Sequence, residues 1–155
     1  MKAQENTLHF SEHIEESVLD KALISSQLFD ELREEALASP RLRMNRDMRT
    51  SSSDTSQRML NALELGTVLP IHRHRTTTEA QILLRGKIDV MFYDDSGKEI
   101  RRFHLDPLSG NYGVNIPVGM WHSLEVLESG SVIFEAKDGK YEPIGEDDVL
   151  RCKDA

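Results

Sequence analysis

His72 and His74 stand one residue apart, Glu79 follows after four intervening residues, and His122 comes later, behind Pro117 and Gly119. Imidazole nitrogens and carboxylate oxygens are ligand atoms for divalent transition metals, and few other tasks need this combination. On an extended chain, residues i and i+2 point to the same side, roughly 6.5–7 Å apart. Two imidazoles so placed can converge on one ion at about 2.0–2.1 Å from each nitrogen. Pro70 favours extension over helix for this stretch, and Arg73 then points away from its two neighbours. Gln81 shares a face with Glu79, either as a partner that orients it or as a substitute ligand. His122 shares its face with Leu124 and Val126, so its nitrogens need a partner in apolar surroundings. A metal would supply one; so would an ordinary core hydrogen bond. A lone His-x-His is often a surface accident, and it is the combination with Glu79 and the Pro-x-Gly-x-x-His stretch that favours a metal.

The elements that must position these groups read as follows. Ser26–Ser39 has the apolar spacing of a helix, with Leu28, Phe29, Leu32, Ala36 and Leu37 on one side. Ser25 or Ser26 can cap its start and Pro40 stops it. Beyond Pro40 the period shortens to alternation. Strands are expected at Arg58–Leu65, Glu79–Leu84, Lys87–Tyr93, Glu99–Leu105, Gly113–Ile116, Trp121–Leu127 and Ser131–Lys137. Arg85 and Gly86 make a tight hairpin turn, and Asp94–Gly97 a longer one. Short strands at this spacing predict an antiparallel sandwich or barrel.

The chain has 155 residues, 38% hydrophobic and 30% charged, which fits one ordinary globular domain. Its formal net charge of −8 argues against nucleic acid or an anionic membrane surface as a partner. The single cysteine, Cys152, excludes an internal disulfide and a cysteine zinc site. No leader-like N-terminus and no long apolar run are present, so no membrane span is expected and the expected location is cytoplasmic.

Gly66, His72, His74, Glu79 and Gly86 together resemble the first signature motif of the cupin family, and Pro117-x-Gly119-x-x-His122 resembles the second. The second motif departs at Asn111, where a glycine is expected, and at Val126, where an asparagine is expected. The resemblance implies a mainly β, single-domain cupin jelly-roll barrel with an N-terminal α-helix. It implies one divalent transition metal (Fe, Mn, Ni, Co or Zn) held by His72, His74, Glu79 and His122, and a homodimer. The segments Ser39–Asn45, Gln57–Glu64, Gly66–His74 and Phe134–Pro143 are similar to the WbuC-type cupin metalloproteins, associated with surface-sugar gene clusters. The organisation expected is an extension at 1–20, a helical segment packing on the barrel at 21–40, the barrel at 41–144 and a peripheral tail at 145–155.

Other polar residues are candidates for contact with a small-molecule ligand. Arg43 and Asn45 alternate onto one face of an expected strand, with Met44 on the other. Arg58 and Asn61 precede Gly66, and Met59 and Leu63 share Asn61's face. Arginines at a barrel mouth suit a carboxylate or phosphate; the plainer reading is that they are solvated or pair with some of the 27 acidic residues. Gln81 and Tyr112 complete the set. Trp121, opposite His122, is expected to pack; His104 is expected to be exposed, and His9 and His13 have no evident partner. The functions in view are a metal-dependent isomerase, epimerase or dioxygenase acting on a small sugar-like or carboxylate substrate, and a non-catalytic metal-anchored binding or sensing module. A metal-free epimerase fits the four-residue set less well.

Overall fold

The computed structural model describes residues 16–151, so the expectations for His9, His13 and Cys152 lie outside the described residues. A short helix α1 (Glu16–Asp20) precedes α2 (Ser26–Ala38). Ten strands follow among the described residues: β1 (Arg43–Asp47), β2 (Ser56–Leu63), β3 (Ile71–His72), β4 (Glu79–Arg85), β5 (Ile88–Tyr93), β6 (Glu99–Leu105), β7 (Gly113–Ile116), β8 (Trp121–Val126), β9 (Ser131–Asp138) and β10 (Val149–Leu150). They form two five-stranded antiparallel sheets, ordered β1-β2-β9-β4-β7 and β10-β3-β8-β5-β6. The mainly β architecture with a preceding helix is the one the sequence predicts.

Alternation decides what each strand buries. Leu63, Leu83, Ile88, Val90, Phe92, Ile116, Leu124, Val126 and Ile133 meet between the sheets as one core. The opposite faces of β2 and β9 give Leu60, Ala62 and Val132 to a second cluster, closed by Leu32 and Ala36 of α2. Ser25 caps α2 by accepting from the Leu28 amide at 3.2 Å, which satisfies a donor the helix leaves open. Leu32 is completely buried, and covering one leucine contributes about 1.5–3 kcal/mol. The β4–β5 turn requires glycine: Gly86 has φ +94°, and a Cβ there would run into the side chain and Cα of Ser131.

The acidic C-terminal stretch adds an edge strand to the second sheet, where Val149 pairs with His72 and Leu150 with Ile71. The reason is the short β3, which has a free edge once β8 covers its other side. Arg73 and Arg75 both donate to Asp148, fastening the stretch there. Among the described residues, no helix is long and apolar enough to cross a membrane.

Candidate metal centre

The structure brings His72, His74, Glu79 and His122 together, with one ligand atom from each lying within 4.8 Å of all the others. They arrive from both sheets. His72 and His122 are cross-strand partners on β3 and β8, and Glu79 begins β4 in the facing sheet. The imidazoles crowd one another, with ring centroids 4.3 Å apart for His72 and His122 and 5.6 Å for His74 and His122.

Two backbone carbonyls aim the rings. His72 Nδ1 lies 3.0 Å from the Pro70 oxygen, and His122 Nδ1 2.8 Å from the Met120 oxygen. A carbonyl can only accept, so each Nδ1 carries the proton and each Nε2 offers its lone pair to the centre. Burial, and then the neighbouring His122, lower the His72 imidazole to about 4. It is therefore neutral near pH 7, as a ligand must be. Burial opposes the charge on Glu79, and the Lys137 ammonium lies 3.8 Å from its Oε2.

Glu79 Oε2 lies 2.7 Å from His74 Nε2 and 3.5 Å from His122 Nε2. All three buried atoms are without a hydrogen-bond partner. A buried polar atom in that condition costs about 1–3 kcal/mol. A cation among them removes that cost, so the residues present fit a metal. Three imidazoles and a carboxylate suit any of the transition metals named above and select none.

Gln81 is a partner of the carboxylate. Its amide donates to Glu79 Oε1 at 2.7 Å, which leaves Oε2 as the open oxygen. Beside it stand two residues that the sequence reading did not single out. Glu135 accepts from Gln81 at 3.5 Å and is also hydrogen bonded to Asn61; Lys137 Nζ lies 3.8 Å from Glu79 Oε2. Burial, and then the Glu79 carboxylate, push the Glu135 carboxyl up to about 8. A signal for both existed: Glu135 and Lys137 alternate with buried Ile133, which puts two charged residues on an inward face.

The remaining candidates divide. Arg43 and Asn45 pair with Leu63 and Asn61, so they share the inward face; Arg43 donates to the Val68 carbonyl at 2.8 Å. Arg58 pairs with Ala136, on the outward face. Its guanidinium is taken by Asp54 and the Met48 carbonyl, both at 3.1 Å, so it fastens a loop and does not reach the cluster. Tyr112 is 60% exposed, and its carbonyl accepts from Leu83, at the end of β4 away from Glu79. Trp121 packs on the outer face, with the Arg73 guanidinium 4.3 Å above its ring. His104 is exposed and bonded to Asp89 at 2.8 Å.

Residues 24–105 match the model of the family described as Domain of unknown function (DUF6016). No curated protein matches the chain. Among solved structures, the capsular polysaccharide assembling protein CapF from Staphylococcus aureus is 22% identical at a TM-score of 0.55, over 68% of this chain and 30% of CapF. KdgF from Halomonas sp. is 16% identical at 0.51, over 66% of this chain and 84% of KdgF. The Cnp3 cupin domain of Schizosaccharomyces pombe is 12% identical at 0.51, over 63% of this chain and 61% of that one. At these identities the likeness is one of fold, and the fold is that of the cupins. The chain spans less than a third of CapF.

Proposed function

The chain belongs to the family described as Domain of unknown function (DUF6016), and on that premise we propose that it is a metalloprotein of cupin fold that holds one divalent metal through His72, His74, Glu79 and His122. The observation that carries this reading is the set of three buried atoms, His74 Nε2, His122 Nε2 and Glu79 Oε2, without a hydrogen-bond partner and aimed at one another. When bound, such an ion polarises a carbonyl or hydroxyl oxygen of a small molecule. The chain's own residues do the rest. The Pro70 and Met120 carbonyls fix the tautomers of His72 and His122. Gln81 turns Glu79 so that one oxygen stays free. Phe92, Ile116 and Leu124 wall the interior against bulk water. Arg43, Asn45 and Asn61, on the inward face, are the groups we assign to a small polar, sugar-like or carboxylate ligand.

The finer reading is a WbuC-type protein of surface-sugar metabolism, cytoplasmic and homodimeric. Its support is the similarity of the four segments quoted above and the likeness in fold to CapF, a capsular polysaccharide assembling protein.

The test is elemental analysis of protein purified without added metal. About one transition-metal ion per chain is expected. Replacing both His72 and His74 by Ala should leave less than about a tenth of that. Full occupancy in the double variant would sink the ligand assignment.

A further inference from the structure

A cavity of about 450 Å³ opens beside the cluster, and His74 and Lys137 both stand in its wall. Both side chains also reach Glu79, at 2.7 and 3.8 Å from Oε2, so the cavity ends at the cluster. Its wall reverses the sign of the whole chain. Arg73, Arg75, Lys137 and Lys140 line it against Asp138, Glu142 and Asp148, on a chain of net charge −8. The two arginines are held by Asp148, whereas Lys140 has no side-chain partner among the described residues. A local positive field of this kind draws an anion.

Lys137 is the cation nearest the centre. It lies opposite Glu79 in the β4–β9 register, with its side chain 18% exposed. An ammonium this deep is stabilised by the carboxylates beside it. Once Glu79 is committed to a cation, the charge that balanced Lys137 is shared, and its ammonium faces the cavity with positive charge to spare. A small acid placed there meets positive charge on two sides.

We propose that the cavity takes a small carboxylate and that Lys137 is the residue that selects an acid over its neutral analogue. This rests on the metal reading of the site and deepens it, because it names the ligand's charged group.

The full-length chain, loaded with one equivalent of Zn2+, is titrated calorimetrically with glycolate and, separately, with the neutral glycolamide. Zinc affinity is measured first by competition with a chromogenic chelator. Wild type should bind glycolate at least about tenfold more tightly than glycolamide. Lys137→Met should lose about tenfold or more in glycolate affinity, while glycolamide affinity stays within about threefold; its zinc affinity is remeasured so that both titrations run on zinc-saturated protein. Lys137→Arg should recover most of the glycolate affinity, which a merely structural role would not predict. Lys137→Gln carries the same comparison should the methionine variant not fold. Unchanged glycolate affinity in Lys137→Met overturns the inference, as does wild-type protein with no preference for glycolate. Wild-type protein that takes no zinc fails at the chelator step, before any acid is added, and overturns the metal reading as well.

Discussion

Glu64 and Glu79 are both buried carboxylates, 3% and 2% exposed, and the protein treats them in opposite ways. Glu64 is completed by its own chain. The Gly130 amide donates to Oε1 at 2.7 Å, Ser129 Oγ to Oε2 at 2.8 Å, and Arg33 Nε to Oε1 at 3.3 Å. It thereby ties α2 and the β8–β9 turn to the end of β2. Glu79 is completed on one oxygen only, by Gln81, and its other oxygen faces imidazoles with no hydrogen bond. A buried carboxylate with every lone pair served fastens a fold. One left open among histidine nitrogens is completed by something that is not protein.

Substituting the two acids should separate the roles. Glu79→Gln should weaken metal binding by about 100-fold or more, read by chelator competition, because an amide oxygen lacks the charge and basicity of a carboxylate. The same change should move the urea midpoint of metal-free protein less than Glu64→Ala does. Glu64→Ala leaves the Gly130 amide buried and unpaired and should cost about 2–3 kcal/mol, with metal affinity kept within about threefold. The reverse pattern would dissolve the contrast between the two sites. Next in size, Gln81→Leu removes the donor to Glu79 Oε1 without touching a proposed ligand. Metal affinity should fall by about 10–100-fold, and an unchanged value would show that the amide does not set the carboxylate's orientation.

The smallest expected effect is on pH. Burial raises the Glu64 carboxyl, but hydrogen bonds from Ser129, Gly130, Leu65 and Arg33 outweigh it, and its pKa lies below the ordinary value. A group depressed in the folded state stabilises the fold above its unfolded pKa, and that contribution is lost as pH falls through the folded value. Stability should therefore drop with acid below about pH 4.5, and Glu64→Gln should flatten that slope in urea titrations repeated at several pH values. An equal slope in the variant would mean that other carboxylates carry it.

Much of the architecture was legible. Ser25 and Pro40 bound α2, and β6 and β7 have the limits that alternation predicts. Ile88, Val90 and Phe92 were expected on one face and stand in the inner core. The candidate site was legible as residue types and spacing, but its edges were not. Arg58 and Asn61 are three apart on one strand, and such residues face opposite sides, so only one of them can be inside. Glu135 and Lys137 went unread because a charged pair at a strand end resembles solvated surface until the register with β4 turns it inward. Val149 and Leu150 carry too short a pattern to announce a strand; the open edge of β3 makes them one.

What the chain alone determined is local: which residues can ligate, where helix and strands begin and turn, and which side of each strand is apolar, since these depend on side-chain chemistry and period. That the four groups meet was decided by the fold. Between His72 and Glu79 the chain crosses from one sheet to the other, and His122 is set opposite His72 only by the pairing of β8 with a two-residue strand. Convergence across two facing sheets is a property of long-range register, which no stretch of sequence contains by itself.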